Sequence, residues 1–251
     1  PAGKAAIRRA EQRELLSRLA ELARSERADI VLLAGDIFDG GGTYFETGAE
    51  FVRCLRDMSV PVFIAPGNHD PYDAHSPYAK LDIPQNVRIF TERDVECAEL
   101  PALGVRVYGA AFTGSTDGPD ITNIRTERAE GTWNILCAHG EVGFDPVNEQ
   151  ALSASGLDYA ALGHILPQHL GEGTEHAGVG RVGLSINGIG DDIGPRQTRH
   201  RINIILAHGH IDDGSLTVLA VHQVGGQCIG VLKAEFLGSL RHPHAQELLV
   251  F

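Results

Sequence analysis

The sequence predicts an α/β fold in which helices flank central sheets, and three observations support this class. Helical and strand-like segments alternate along the first part of the chain, the strand-like runs are continuously apolar, and polar residues follow each run. Continuous apolar runs are typical of strands that are buried on both faces. The alternation implies parallel strands with right-handed crossovers, whose carboxyl ends share one edge of the sheet.

Composition narrows the class of protein. The 251 residues are 43% hydrophobic, which is enough for one large or two small domains with a buried core. No run of 18 apolar residues occurs, so no membrane segment is predicted. The four cysteines form no C-x-x-C pair and fit a reducing cytoplasm. A net charge of -12 argues against a surface that attracts nucleic acid everywhere, although a local basic groove stays compatible with it.

The elements follow in order along the chain. Residues 10–25 place leucines at helical spacing and predict an amphipathic helix. Residues 29–40 predict a buried strand and its polar loop, residues 44–58 a second helix, and residues 60–70 a second strand with its loop. Further strands are predicted by three later apolar runs, GVRVYGAAF, WNILCAHGEVG and LDYAALGH.

Four of these runs end in side chains that can bind metal or move a proton. They end at Asp36, at Asn68 and His69, at His139 and at His164. A single strand-end Asp is usually a turn former, and a single His is usually structural. Four such ends at one edge favour a mixed nitrogen and oxygen site for manganese, iron or zinc instead. Adjacent glycines allow the backbone to turn sharply there.

The same residues carry a family resemblance. The motifs GDIFD, GNHD, AHG and LGH occur in an order and spacing that resemble the calcineurin-like metallophosphoesterases, and the phrases DIVLLAGDIFD and DYAALGHI resemble the SbcD-type bacterial DNA repair exonucleases most. The resemblance covers about residues 8–165. It implies a layered fold with a metal site at the carboxyl ends of the strands.

The resemblance also implies a role for each motif residue. Two divalent ions are expected, most simply manganese, with iron, zinc and magnesium as alternatives. Two ions can hold both the attacking oxygen and the phosphate oxygens of a phosphoester. Asp36 matches the family's bridging carboxylate and Asn68 its amide ligand. His139 and His164 match its imidazole ligands.

Two neighbours of the ligands receive catalytic roles from the resemblance. His69 matches the histidine that faces the scissile phosphate and protonates the leaving oxygen. Asp70 is expected to fix the orientation and tautomer of His69. Asp39 has two alternative roles of equal weight. It either supports the loop or forms a hydrogen bond that orients a metal ligand.

The sequence departs from the family pattern at both ends. The family begins with a strand that carries an Asp-x-His element, and none precedes the first helix here, so an N-terminally truncated copy is expected. The family's last motif is Gly-His-x-His, whereas this chain has Gly163, His164, Ile165 and Leu166. We therefore divide the chain into a metallophosphoesterase domain, 1–165, and a segment of uncertain structure, 166–251. This segment is either divergent or the product of a reading-frame change.

A His-x-His element does occur within that later segment. His208 and His210 follow the apolar run INIILA, as metal ligands would. They lie far beyond His164 in the sequence, so a substitute role would require an unrelated strand to reach the same edge. A motif match without its structural context is weak, and the sequence alone favours a non-ligand role for both.

The predicted function is metal-dependent phosphodiester hydrolysis of the DNA exonuclease type. Alternatives on the same core are a phosphomonoesterase, a cyclic-nucleotide phosphodiesterase and a catalytically inactive scaffold fragment. DNA is the expected substrate, and the resemblance implies an SbcC-like coiled-coil ATPase as partner. Residues 1–164 contain 15 Lys and Arg against 25 Asp and Glu. Charge therefore does not by itself establish a nucleic-acid substrate.

Overall fold

A computed structural model places two β-sheets face to face, with helices against the outer face of the first. It describes residues 2–38, 44–140, 151–152, 154–163, 184–185, 202–210, 215–224 and 227–237. Mixed sheets flanked by helices confirm the predicted α/β class. Among the residues described, no helix combines the length and the apolar character needed to cross a membrane.

The first sheet contains the strands that carry the first two motifs. Its described strands are β1 (Ile30–Leu33), β2 (Val62–Ile64), β3 (Val87–Ile89), β9 (Ile202–His210), β10 (Ser215–Val224) and β11 (Gln227–Leu237). Their spatial order is β11-β10-β9-β1-β2-β3. Strands β9, β1, β2 and β3 run parallel, while β10 pairs antiparallel with both neighbours. The loops after β1 and β2 therefore leave from the same edge.

Two helices cover the outer face of this sheet, as the sequence predicts. They are α1 (Ala2–Ser25) and α2 (Tyr44–Met58). Predicted core leucines of α1, including Leu16 and Leu19, are buried against Val31 and Leu33 of β1. A short helix, α3 (Pro77–Lys80), adds Tyr78 to the same core.

The second sheet closes the core from the other side. Its described strands are β4 (Glu96–Leu100), β5 (Val105–Gly109), β6 (Trp133–His139), β7 (Tyr159–Gly163) and β8 (Leu184–Ser185), in that spatial order. Successive residues of β1 point to opposite faces, so Ile30 and Leu32 meet Ile135 and Cys137 of β6 between the sheets. The carboxyl ends of β1, β2, β6 and β7 meet at one edge.

Strand β9 is the main difference from expectation. It lies in the segment 166–251, yet it pairs parallel with β1, from Ile30 opposite Ile204 to Leu33 opposite Ala207. Its apolar run suits a strand within a sheet, and distance along the sequence does not determine which strands become neighbours. The strand that carries His208 thus does reach the edge where the motifs end. The boundary at residue 165 stays a prediction.

Candidate metal centre

The turn after β1 presents Asp36 at the edge between the two sheets. Gly35 has a φ of 83° and Asp36 a φ of 55°, so two consecutive residues adopt the left-handed conformation. This conformation is uncommon for residues other than glycine and marks turns under constraint. The Asp36 carboxylate is buried all the same, with only 5% of the residue exposed. The chain therefore holds a charged group inside a strained turn.

His139, the last residue of β6, lies directly against this carboxylate. Its Nε2 is 3.1 Å from Asp36 Oδ2. Its Nδ1 is 3.0 Å from the carbonyl oxygen of Ala34. A ring whose Nδ1–H donates to a backbone carbonyl presents Nε2 as the atom that can bind a cation. The ring edge also packs against Phe112, with centroids 5.7 Å apart.

Asn68, which follows β2, completes the cluster. Its Oδ1 lies 3.1 Å from His139 Nε2. One carboxylate oxygen, one amide oxygen and one imidazole nitrogen, from the ends of three different strands, therefore meet around a common point. Adjacent ligands of an octahedral ion bound at about 2.1 Å lie about 3 Å apart. The three atoms suit a small divalent cation in kind, and the two distances from His139 Nε2 suit it in spacing.

The charges of this cluster perturb each other. Burial raises the pKa of Asp36, but the hydrogen bond and charge of His139, with smaller effects from His69, outweigh burial and hold the pKa at about 2. Burial lowers the pKa of His139, yet the hydrogen bond and charge of Asp36 raise it above its usual value. Asp36 is thus held as an anion, the form that binds a cation.

Asp70 has a task that the sequence did not indicate. It is buried, and five donors converge on its carboxylate. They are the backbone N–H groups of Asp36 (3.1 Å), Ile37 (2.7 Å), Phe38 (3.1 Å) and Gly67 (2.7 Å) and the hydroxyl of Tyr78 (2.5 Å). The carboxylate therefore ties the loop after β1 to the loop after β2. Its predicted role in orienting His69 stays a prediction.

The protonation of Asp70 reflects two opposing influences. Burial, together with the charge of Asp36, raises the pKa of Asp70 above its usual value, although the Tyr78 hydroxyl and the backbone donors act to lower it. Asp70 is the acceptor in all five hydrogen bonds. A carboxylate that accepts several such hydrogen bonds favours the ionised form, and the surroundings of Asp70 suit an anion.

His69 lies beside the cluster and faces solvent. Its backbone N–H donates to Asp36 Oδ1 at 3.0 Å, which fixes the position of its main chain relative to the carboxylate. The residue itself is exposed. The exposed His69 thus adjoins the buried carboxylate of Asp36.

Two glycines make the close approach of these loops feasible. A Cβ on Gly67 would meet the carboxylate of Asp36 and would lie 2.6 Å from its backbone nitrogen. A Cβ on Gly35 would collide with the His139 ring. Any side chain at either position would therefore push apart the groups that form the cluster.

The described side chains form only part of a complete metal centre. Among them, no group of three or more His, Cys, Asp or Glu residues gathers around one point. Asp36 and His139, with the Asn68 amide, are the donors that the structure brings together. His164 and Asp39 lie outside the described residues; β7 ends at Gly163, which is paired with His139. Further ligands for a two-ion centre must come from positions beyond this trio.

Comparison with known proteins agrees with this geometry. Residues 9–214 match the family model of the calcineurin-like phosphoesterases. The chain is 28% identical over 159 residues to the uncharacterized metallophosphoesterase YhaO of Bacillus subtilis (strain 168), covering 58% of this chain and 38% of YhaO. It is 26% identical over 168 residues to the DNA double-strand break repair protein Mre11 of Saccharolobus solfataricus, covering 61% of this chain and 42% of Mre11. The matched region spans about two fifths of these curated relatives.

Proposed function

This chain belongs to the calcineurin-like phosphoesterase family, and from that premise we propose that it is a metal-dependent phosphodiesterase acting on DNA, of the SbcD-type exonuclease branch. The observation that carries the proposal is the meeting of Asp36 Oδ2, Asn68 Oδ1 and His139 Nε2 at spacings of 3.1 Å. A buried oxygen and nitrogen donor set at the ends of parallel strands is suited to bind divalent cations.

The ligand roles follow from the positions of the donor atoms. Asp36 has its Oδ2 toward His139 and its Oδ1 toward the N–H of His69, so both oxygens face the cluster. Asp36, Asn68, His139 and His164 would hold two divalent ions, with manganese as the expected metal. When bound, such ions polarise phosphoryl oxygens and lower the pKa of water. The Ala34 carbonyl keeps His139 in the tautomer that leaves Nε2 available.

Proton transfer is assigned to His69. Its exposed ring can reach a phosphodiester held at the edge of the sheet, and in the protonated form it would donate to the leaving oxygen as the bond to phosphorus breaks. Asp70 supports this arrangement because its carboxylate accepts hydrogen bonds from the backbone N–H groups of Asp36, Ile37 and Gly67. It thereby acts as a positioning residue in this proposal.

DNA as the substrate class is supported by similarity and not by surface charge. Mre11, one of the relatives, is a DNA repair protein by its name. An SbcC-like coiled-coil ATPase is the proposed partner, by the same resemblance. A cytoplasmic location is proposed because three cysteines whose side chains the structure describes, Cys54, Cys97 and Cys137, are unpaired.

Hydrolysis of defined substrates tests the proposal. Protein stripped with EDTA and reloaded with Mn²⁺ should cleave bis-p-nitrophenyl phosphate and end-labelled DNA, and EDTA should abolish both activities. Faster turnover of p-nitrophenyl phosphate would favour the phosphomonoesterase alternative, and cleavage restricted to 2′,3′- or 3′,5′-cyclic nucleotides the cyclic-nucleotide alternative. Stoichiometric Mn²⁺ binding without turnover of any phosphoester would overturn the enzymatic proposal.

A further inference from the structure

The loop after β5 brings an aromatic ring to the edge where the motif residues meet. Strand β5 runs parallel to β6, and its last residue, Gly109, is paired with Cys137, two residues before His139. Phe112 follows the end of β5 three residues later. Its ring lies 5.7 Å from the His139 ring, centroid to centroid, with the two ring planes at 75°.

The backbone of Phe112 is held in a fixed position relative to the ligand cluster. Its N–H donates to the carbonyl oxygen of Pro66 at 3.1 Å, and its carbonyl oxygen accepts from the N–H of Tyr72 at 2.7 Å. These two hydrogen bonds join Phe112 to both ends of the loop that contains Asn68 and His69. The residue that carries the ring and the loop that carries the proposed ligand therefore form one unit.

The tip of the ring is also confined, yet part of the residue stays accessible. A Cβ on Gly118 would lie 3.2 Å from Phe112 Cζ, so the glycine leaves room for the ring. Phe112 is half-buried, whereas Asp36 and His139 are buried. A phenyl ring has no hydrogen-bonding atom, and its accessible surface at this edge offers apolar and stacking contacts.

We propose that Phe112 is a specificity-determining residue on which a base of the substrate stacks while the adjacent phosphodiester is held at the ligand cluster. This inference rests on the proposed function, because it names what the same site recognises beyond the phosphate. A base is joined to its phosphate through one sugar, so a ring in contact with His139 is within reach of that base. Every base has a flat π face that stacks on an aromatic side chain.

The acidic character of the chain favours stacking over charge as the means of recognition. Residues 1–164 contain 15 Lys and Arg against 25 Asp and Glu. Proteins that hold nucleic acid by its phosphates use basic groups, and their affinity falls as salt increases. A base that stacks on a phenyl ring needs no positive charge on the protein. Discrimination by Phe112 should therefore change little between low and moderate salt.

Two substitutions and one control isolate the effect of the ring. Phe112→Leu removes the aromatic face and keeps an apolar side chain, while Phe112→Tyr keeps the ring. Tyr108→Leu is the control, because it removes an aromatic ring from β5 itself. Tyr108 packs with Leu136 on the face of the second sheet opposite to Val107, which lies between the sheets. The control therefore leaves the edge that carries His139 unchanged.

Dinucleotide cleavage by the Mn²⁺-loaded protein measures recognition of the base on either side of one phosphodiester. The substrates are the thymidine dinucleotide and its two analogues in which a tetrahydrofuran residue without a base replaces one nucleoside. Wild type should cleave one analogue with a kcat/KM about 5 to 150-fold below that of the parent, the range for one stacked base. Phe112→Leu should lose this discrimination, while Phe112→Tyr and Tyr108→Leu should keep it.

A purely structural role of Phe112 would give a different result. Loss of packing against His139 would slow cleavage of the three dinucleotides equally and leave their ratios unchanged. Wild-type ratios in Phe112→Leu, or equal cleavage of all three by wild type, would overturn the inference. Cleavage of bis-p-nitrophenyl phosphate but of no dinucleotide would also overturn it and leave phosphodiester hydrolysis standing. Protein that hydrolyses no phosphoester would remove the proposed function, and the inference with it.

Photo-cross-linking of the wild-type chain keeps the test valid if Phe112→Leu fails to fold. The probes are the 3′- and 5′-monophosphates of 5-iodo-2′-deoxyuridine, irradiated with Mn²⁺ present, and mass spectrometry locates the cross-linked residue. A 5-iodouracil ring that stacks on an aromatic side chain forms a covalent bond to it on irradiation. One of the two probes should cross-link to Phe112, and removal of Mn²⁺ should reduce the yield. Cross-links at other residues only, or none, would contradict the inference.

Discussion

Two pairs of opposite charge in this protein have similar spacing and different surroundings. Arg88 and Glu96, on the outer strands β3 and β4, are 2.8 Å apart with 50% and 20% of their side chains exposed. His139 and Asp36, at the edge between the sheets, are 3.1 Å apart with 2% and 7% exposed. Water and salt screen the attraction within the first pair, because its side chains are partly exposed. The second pair is buried and has lost most of its hydration.

This difference identifies the buried Asp36–His139 pair as the energetically unfavourable arrangement of the two. An exposed ion pair contributes about 0 to 1 kcal/mol to stability and needs little support. A buried pair loses solvation that its mutual attraction does not fully restore. Asp36 also occupies a left-handed turn, and three backbone N–H groups of that turn, those of Asp36, Ile37 and Phe38, donate to Asp70. Such an arrangement is typical of a site shaped for a ligand.

Removal of Asp36 should have the largest effect. Asp36→Ala should abolish Mn²⁺ binding and reduce phosphodiester hydrolysis to the background rate, because the carboxylate would contact both ions. Dialysis and a bis-p-nitrophenyl phosphate assay measure the two losses. Asp73→Ala, which removes an exposed loop carboxylate, serves as the control and should change neither. Retained Mn²⁺ binding in Asp36→Ala would exclude the carboxylate as a ligand.

His69→Gln should separate chemistry from metal binding. Without its general acid the rate should fall about 10² to 10⁴-fold. The bound Mn²⁺ should stay at the wild-type level, since the described contact of His69 with Asp36 is made by its backbone N–H. Rates with bis-p-nitrophenyl phosphate, beside metal analysis of the same samples, give both quantities. A loss smaller than tenfold would remove His69 from proton transfer.

Asp70→Asn tests whether the buried support matters as much as the ligands. The amide would turn a donor toward N–H groups that now donate to the carboxylate, so the loop after β1 should loosen and Mn²⁺ affinity should fall about 10 to 100-fold. Tyr78→Phe removes one of the five donors and should weaken binding less. Titration calorimetry compares the variants. Lost activity with unchanged Mn²⁺ affinity would show that Asp70 acts through His69 instead.

Arg88→Ala should have the smallest effect. The exposed pair with Glu96 should contribute about 0.5 kcal/mol or less to the free energy of unfolding. Metal binding and hydrolysis should match the wild type, because β3 and β4 lie at the outer ends of their sheets. Urea denaturation measures the change. A loss of several kcal/mol would contradict the contrast between the two regions.

The predictable part of the fold is the part with strong periodicity. Helical spacing in residues 10–25 identified leucines that are buried, and the apolar runs became β1, β2, β5, β6 and β7. Strands β3 and β4 gave no such signal, because Arg88, Glu96 and Glu99 interrupt the apolar pattern of these short edge strands. The placement of β9 beside β1 depends on tertiary packing between distant segments, which local patterns do not encode.

The site shows the same division. Strand ends predict that Asp36, Asn68 and His139 share an edge, and the structure brings these three together. Their roles as ligands stay predictions. The contact between Tyr78 and Asp70 could not be predicted, since nothing in the short helix α3 signals that its hydroxyl reaches a carboxylate eight residues earlier. The Ala34 carbonyl was equally hidden, because backbone acceptors have no sequence signature.

Anomalous diffraction from a crystal soaked in Mn²⁺ tests the central claim most directly. We expect a manganese peak within about 2.5 Å of Asp36 Oδ2, Asn68 Oδ1 and His139 Nε2, which is the range for oxygen and nitrogen ligands of a divalent ion. Manganese peaks elsewhere on the molecule, with none beside Asp36 and His139, would contradict the assignment of these residues as metal ligands.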